Sequence, residues 1–363
     1  MENQDYYYKC PTGIYVIDNG IERAGEIINK EGFKKIFLIY GGSSLKKSGN
    51  LDKLYASLKE NNIEFLAQGG VLPNPDISFV RDVLEKVREY KPDLIFAVGG
   101  GSVIDTAKNL CKAYFYDGDP LDFHKKTAVA TKSLPLGLIL TLSAAGSEMS
   151  NSCVMSDRTI NYKGGFSSDL NRPTFSILDP KLTYSVSQYQ TCCGLVDIIS
   201  HSFERYFSPS NEYELADYFA LSVIKNTIEI SPALIKNPTN YNARRSMMLT
   251  STMSHNGFTS FGKSYRMPCH AVEHAISGSH PDITHGLGLR FLLAEFMEVN
   301  KKELKDKICK LGKFCFNIDS NNPDLAIEAF KSYLDSLPLP KTMEEVGVTN
   351  SDKIEFINRL LLK

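Results

Sequence analysis

The sequence has few of the features that mark nucleic-acid-binding or membrane proteins. Its 41 lysines and arginines nearly balance its 42 aspartates and glutamates, so no basic surface for nucleic acid or anionic lipid is expected. Tryptophan is absent. The longest apolar run, LPLGLILTLSAAG, is broken by proline and glycine and is too short to cross a bilayer. With 42% hydrophobic residues the composition is that of a soluble globular protein.

The eight cysteines include no Cys-x-x-Cys pair. Such spacing suits neither a zinc knuckle nor a secreted disulfide framework. The first residues, MENQDYYYKC, also lack the basic-then-apolar order of a signal peptide. We therefore expect reduced thiols and a cytoplasmic protein.

The two halves of the chain have different patterns. Up to about residue 180, short β-branched runs such as KKIFLIY, IEFLAQGGV and DLIFAV alternate with helical stretches, one of them spanning 44–62. This alternation predicts βαβ units and a parallel sheet. From about residue 187 the chain consists of long amphipathic helices such as QYQTCCGLVDIISHSFERYF. We predict an α/β dinucleotide-binding domain over 1–182 and an all-helical metal-binding domain over 183–363.

A glycine turn in the first half predicts a phosphate site. The chain lacks both Gly-x-Gly-x-x-Gly and a Walker loop, but Gly99, Gly100, Gly101 and Ser102 follow a strand and open a helix. Backbone amides at such a turn, together with the positive end of the helix dipole, can bind phosphate. A tight turn without a ligand is the alternative.

The end of the first central strand indicates which nicotinamide cofactor is preferred. Classical NAD sites place an acid near a strand end to bind the ribose 2′-hydroxyl. Here no acid occurs between Tyr40 and Leu51, and Lys46 and Lys47 lie nearby. We therefore expect NADP(H) to be preferred over NAD(H), although two lysines are also typical of a solvated helix face.

Histidine is scarce, and its distribution predicts a metal site. Five of the seven histidines lie between Ser254 and Gly286. His270 and His274 are spaced i, i+4, as are Asp197 and His201 upstream, so each pair shares one helix face. With His285 these residues suffice for a mononuclear site of one carboxylate and three imidazoles. Because the glycine turn lies in the other half, we expect the two sites to meet at an interdomain cleft.

These motifs in this order resemble the iron-containing alcohol dehydrogenase family. The resemblance rests on GGGSVIDTAK, the Asp-x3-His pair and HAVEHAISG…DITHGLGL, and it is strengthened by YGGSSLKKSGNLD and LTLSAAGSEMS. It covers nearly the whole chain and points to the branch of NADPH-dependent butanol dehydrogenases and broad-range aldehyde reductases. It implies a homodimer that transfers hydride between NADP(H) and a small primary alcohol or aldehyde, with Fe(II), or alternatively Zn(II), as the metal.

The resemblance also implies residue roles. The metal ligands would be Asp197, His201, His270 and His285, and His274 would act beside the metal without binding it. The pyrophosphate would lie on Gly99, Gly100, Gly101 and Ser102. The rest of the cofactor would contact Gly41, Gly42, Ser44, Asp105, Thr141, Ser143 and Lys163.

The sequence leaves several alternatives open. Relatives commonly have threonine where this chain has Ala145, and the segment before His285 is one residue longer than usual, which makes His280 a substitute ligand. A glycerol-dehydrogenase-like polyol oxidoreductase, a dehydroquinate-synthase-like lyase and a catalytically impaired nucleotide-binding relative remain possible. So does a metallohydrolase, since Glu273 precedes His274 in a His-x-x-Glu-His motif.

Overall fold

The structure is a computed structural model that describes residues 6–209, 214–280 and 282–361. The chain divides into two compact units. One consists of Lys9–Ser143 and Ser147–Tyr184, and the other of Ser185–Lys363 together with Met1–Tyr8 and Ala144–Gly146. The second unit therefore includes two short segments that the sequence-based division places in the first domain.

The first unit is built on a parallel sheet. Its six strands are β1 (Gly13–Val16), β2 (Lys35–Tyr40), β3 (Glu64–Gly69), β4 (Leu94–Gly99), β5 (Leu136–Leu140) and β8 (Phe175–Leu178). They lie in the order β1-β8-β5-β4-β2-β3, and every neighbouring pair is parallel. Strand β4 is buried along its whole length, as expected when helices cover both faces of a sheet. The predicted parallel α/β architecture is confirmed. An antiparallel hairpin of β6 (Ser152–Asp157) and β7 (Tyr162–Ser167) was not predicted.

The helices of this unit are α1 (Ala24–Lys30), α2 (Ser44–Lys47), α3 (Asn50–Glu60), α4 (Ile77–Tyr90), α5 (Gly101–Ala113) and α6 (Asp122–Lys125). The single helix predicted over 44–62 is wrong, because the structure has two helices, α2 and α3. Gly49 separates them with a φ of +73°, in the left-handed region that glycine adopts readily.

The second unit is helical, as predicted. Its helices are α7 (Gln188–Phe207), α8 (Leu215–Lys236), α9 (Tyr241–Ser254), α10 (Pro268–Ser279), α11 (His285–Val299), α12 (Lys305–Phe316), α13 (Pro323–Ser336) and α14 (Asn350–Asn358). Short 3₁₀ helices lie in this unit at Phe258–Ser260 and Glu344–Val346, and in the first unit at Arg158–Ile160, Asp169–Asn171 and Pro180–Thr183. Among the described residues, no helix combines the length and the apolar character that a membrane span requires.

Helix α7 forms the centre of this unit. Ser187 caps it by accepting a hydrogen bond from the backbone N–H of Gln190 at 3.2 Å. Every residue from Thr191 to Phe207 is buried, so polar side chains on this helix need partners inside the protein. Asp197 and His201 are two of these buried polar residues, and α10 and α11 pack against the same helix.

Candidate metal and cofactor sites

Three histidines from three helices converge on one carboxylate oxygen. Asp197 Oδ1 lies 3.1 Å from His201 Nδ1, which is one turn along α7. It lies 3.9 Å from His270 Nε2, near the start of α10, and 3.9 Å from His285 Nε2, at the first position of α11. The four residues predicted from the sequence as metal ligands are thus brought together by the fold.

The chemistry of this cluster fits a divalent cation. Asp197 Oδ1 and His270 Nε2 are buried and make no hydrogen bond within the described chain. Ligand atoms of Asp197, His201 and His270 all lie within 4.8 Å of one another. Buried polar atoms are normally satisfied, and a carboxylate oxygen grouped with imidazole nitrogens is a donor set that Fe(II) and Zn(II) accept.

Two glutamates lie behind this cluster. The carboxylate of Glu204 contacts Nδ1 of His270, and that of Glu273 contacts Nδ1 of His285. Both glutamate side chains are fully buried. His201 differs, since its Nδ1 lies 2.9 Å from the backbone oxygen of Asp197 in its own helix.

The ionisation of these buried groups also favours a cation. Burial raises the pKa of Glu204 to about 8 and lowers that of His270 well below its usual value, so each group disfavours its charged form. For Asp197 burial alone would raise the pKa, but the charge and hydrogen bond of His201 and the charge of His285 together outweigh burial and lower it. A positive ion beside His270 would favour the ionised form of Glu204.

His274 and His280 occupy different positions relative to this cluster. His274 is half-buried, and its ring centroid is 5.8 Å from that of His285. His280 ends α10, and its Nδ1 lies 2.9 Å from Ser279 Oγ. Among the described residues, the ion pairs of Asp197 include His285 but neither of these two. The geometry therefore favours His285 over His280 as the last ligand.

The glycine turn has the local structure expected of a phosphate site. Strand β4 ends at Gly99, and α5 begins at Gly101 with Ser102 in its first turn. A Cβ at Gly99 would lie 2.5 Å from Val103 Cγ2, so a larger residue does not fit. The adjacent loop is joined to the turn by a 3.0 Å hydrogen bond from the N–H of Thr141 to the Gly99 oxygen.

Ser143 supplies an observation that favours a ligand near this turn. Its Oγ is buried and makes no hydrogen bond within the described residues.

At the end of β2, the loop of Gly41 and Gly42 leads into α2, which begins at Ser44. A Cβ at Gly42 would meet nothing within 4 Å. Lys163 lies on β7, half-buried, opposite Ser156 in the hairpin.

Asp105 has protein partners at both carboxylate oxygens. Oδ1 accepts a hydrogen bond of 2.6 Å from Ser147 Oγ, and Oδ2 accepts one of 2.9 Å from the N–H of Val154. The buried ammonium of Lys108 donates to Ser147 Oγ at 2.8 Å and to the Ser152 oxygen at 2.7 Å. Asp105 therefore anchors β6 to α5 beneath the glycine turn, and its contact with a cofactor stays a prediction.

Comparison with known proteins identifies the family. The model of the iron-containing alcohol dehydrogenase family matches residues 11–180, and that of the family's C-terminal domain matches residues 191–361. The chain belongs to the iron-containing alcohol dehydrogenase family. It is thus an oxidoreductase of the alcohol dehydrogenase type, and the resemblance seen in the sequence is confirmed.

Relatives of this dehydrogenase act on alcohols and aldehydes. It is 39% identical to NADH-dependent butanol dehydrogenase A of Clostridium acetobutylicum, over 96% of this chain and 91% of that protein. It is 30% identical to the NADPH-dependent aldehyde reductase YqhD of Escherichia coli, over 90% of this chain and 85% of that protein. The crystal structure of NADH-dependent butanol dehydrogenase A from Thermotoga maritima matches with a TM-score of 0.92 and 31% identity, over 99% of this chain and 90% of that chain.

The position of Glu273 argues against hydrolase chemistry in this dehydrogenase. A hydrolytic base must reach a water molecule. Here one carboxylate oxygen of Glu273 contacts His285 and the other contacts Ser277 Oγ, and the side chain is fully buried. The metallohydrolase alternative, which rests on Glu273 as a base, loses its support.

His255 is a site residue that the sequence reasoning did not assign. Its ring centroid lies 4.2 Å from that of His201, and its Nδ1 lies 3.0 Å from the backbone oxygen of Ala145. The neighbouring Gly146 has a φ of +63°, and a Cβ there would lie 2.5 Å from the Ser251 oxygen. The only available signal was the place of His255 in the histidine-rich window, since its partner lies 110 residues away.

Gly286 explains how His285 reaches α7. A Cβ at position 286 would lie 2.1 Å from the backbone oxygen of Cys193, which is one turn before Asp197. Only glycine permits this approach of α11 to α7. The His-Gly pair noted in the sequence therefore has a steric reason, because the glycine brings the preceding histidine to the carboxylate.

Proposed function

We propose that this enzyme transfers hydride between NADP(H) and a small primary alcohol or aldehyde, with butyraldehyde as a representative substrate. The convergence of His201, His270 and His285 on Asp197 is the observation that carries the proposal. The names of the relatives support the substrate class. We further propose a homodimer in the cytoplasm, on the family resemblance alone.

The four converging residues would hold the metal, with Fe(II) preferred and Zn(II) as the alternative. When bound, the cation would supply Lewis acidity to a substrate oxygen, and the nicotinamide would supply or accept the hydride. The protein's part is to present one carboxylate and three imidazoles in a fixed, largely buried arrangement. Ser102 and Gly99–Gly101 would bind the pyrophosphate, with Ser143 and Thr141 alongside.

The preference for NADP(H) is supported by the loop after β2. No carboxylate occurs between Tyr40 and Leu51, and Gly42 leaves open space at this position. The relatives differ here, because one is named as NADH-dependent and another as NADPH-dependent. A 2′-phosphate beside Gly41, Gly42 and Ser44 would meet no negative side chain from this loop.

We propose that His274 positions the proton that the nascent alkoxide receives. Its ring lies 5.8 Å from that of His285, and an imidazole is a side chain that can both accept and donate a proton. Replacing His274 by alanine should lower kcat about 10²-fold and leave the metal content unchanged. Steady-state rates, with metal analysis of the same samples, check both parts. If His274→Ala loses its metal, the result would indicate that His274 is itself a metal ligand.

Initial rates of NADPH and NADH oxidation test the proposed function. The full-length protein, loaded anaerobically with Fe(II), should oxidise NADPH rapidly in the presence of butyraldehyde. The reaction should stop when a chelator is added and should be much slower with NADH. Lack of turnover with either cofactor, in protein that carries one metal per chain, would overturn the substrate assignment. A protein that binds no metal would support the impaired-relative alternative.

A further inference from the structure

An imidazole can direct Nε2 at a metal reliably only when its Nδ1 is held by another group. The three histidines at Asp197 meet this requirement in different ways. His201 uses the backbone oxygen of Asp197, four residues earlier in the same helix. His270 and His285 lie near the starts of α10 and α11, where no preceding turn of the same helix can do this, and each contacts a glutamate instead.

Glu204 reaches His270 from α7. Its side chain is fully buried, and Oε2 contacts His270 Nδ1. Oε1 contacts the backbone N–H of Cys269 and lies 3.4 Å from that of His270. One carboxylate therefore binds both the imidazole and the backbone of the turn that carries it, so neither the ring nor the start of α10 can rotate away from α7.

Glu273 acts on His285 from the facing helix. It lies one turn after His270 on α10, and Oε2 contacts His285 Nδ1. Oε1 accepts a hydrogen bond from Ser277 Oγ, which fixes the carboxylate from its other side. A Cβ at Gly288 would lie 2.9 Å from Glu273 Cγ, so α11 has a glycine where this side chain passes.

We propose that Glu204 and Glu273 are positioning residues, which hold His270 and His285 with Nε2 toward Asp197 and thereby raise the affinity of the site for a divalent cation. The inference rests on the proposed metal site. Its geometric support is that both Nε2 atoms lie 3.9 Å from Asp197 Oδ1 while both Nδ1 atoms contact a carboxylate. A carboxylate on Nδ1 also makes the imidazole a stronger electron donor at Nε2.

The structure connects the two glutamates to each other through α10. Glu204 contacts the start of this helix, and Glu273 lies on its second turn and contacts α11. α7, α10 and α11 are thus joined around the cluster by two carboxylate–imidazole contacts rather than by apolar packing alone. Removing either contact should loosen one imidazole without removing a ligand.

The test measures metal binding rather than turnover. Full-length protein is stripped with a chelator and titrated with Zn(II) against a chromophoric competitor, for the unsubstituted chain and for Glu204→Gln and Glu273→Gln. Each variant should bind Zn(II) about 10- to 100-fold more weakly. Glu229→Gln, which alters an exposed glutamate on α8, is the matched control and should bind as the unsubstituted chain does.

Two further readouts separate positioning from general stability. The absorption bands of bound Co(II) should shift in both variants, because the orientation of one imidazole changes, and should not shift in the control. Thermal unfolding of the metal-free proteins should differ little between Glu273→Gln and the unsubstituted chain. If Glu204→Gln is itself unstable, Glu273→Gln decides the question, because Glu273 lies within α10 rather than at its start.

The outcomes distinguish the inference from the proposed function. Unchanged Zn(II) affinity and unchanged Co(II) bands in a folded Glu273→Gln would overturn the positioning role and leave the metal site standing. A chain without substitutions that binds neither Zn(II) nor Co(II) would overturn the metal site and the inference together. Weaker binding with shifted bands in both variants would support the proposal.

Discussion

Replacing His285 by alanine should lower kcat/KM for butyraldehyde at least about 100-fold, because loss of a direct ligand should exceed the 10- to 100-fold effects of losing an outer partner. The substitution removes one of the three imidazoles around Asp197 Oδ1, the one whose Nε2 lies 3.9 Å from that oxygen. It would also leave the buried Glu273 without the imidazole that it contacts. Metal content should fall together with the rate.

His280→Ala is the matched control for this result. His280 ends α10, five residues before His285, and its Nδ1 contacts Ser279 rather than Asp197. We expect its replacement to leave rate and metal content nearly unchanged. The reverse pattern, with an active His285→Ala and an inactive His280→Ala, would show that His280 is the ligand and would refute our assignment.

The second large effect concerns the cofactor. Gly42→Asp should lower kcat/KM for NADPH about 100-fold, because two like charges about 5 Å apart at an effective dielectric of about 20 repel by roughly 3 kcal/mol. The new side chain fits, since a Cβ at this position meets nothing within 4 Å. NADH, which lacks the 2′-phosphate, should be affected little or should gain from a hydrogen bond to its 2′-hydroxyl.

Gly42→Asn separates charge from size in this experiment. Asparagine has nearly the same shape as aspartate and no charge, so NADPH should be used almost as well as by the unsubstituted enzyme. Measuring kcat/KM with NADPH and with NADH for both variants gives the cofactor preference of each as the ratio of the two values. If Asp and Asn lower the NADPH rate equally, the loop does not recognise the 2′-phosphate by charge, and the assigned preference fails.

The parts of this protein that could be predicted from its sequence are those with a short-range signal. The helix that carries Asp197 and His201 has the predicted bounds, Gln188–Phe207, with its cap at Ser187, although it is buried all round from Thr191 onward rather than amphipathic. The turn of Gly99–Ser102 has its strand before it and its helix after it. Local pattern was enough in both cases.

The parts that were missed depend on contacts between residues far apart in the chain. Glu204 and His270 are 66 residues apart, and His255 and Ala145 are 110 apart. The contacts of Asp105 with Ser147 and Val154, 42 and 49 residues away, were likewise not predicted, and its cofactor contact, which the family resemblance implies, stays a prediction. A glycine such as Gly49 can either end a helix or be tolerated within one, and the surrounding sequence does not tell which of the two occurs.

The division of the chain between its units bears on how the protein is synthesised. The helical unit includes Met1–Tyr8 and Ala144–Gly146 as well as Ser185–Lys363, so the chain passes between the units at four points. Tyr6–Tyr8 thus precede the α/β unit in the chain but belong to the unit most of whose other residues follow it. Folding from one end cannot finish that unit, and its N-terminal segment must await partners encoded more than 170 residues later.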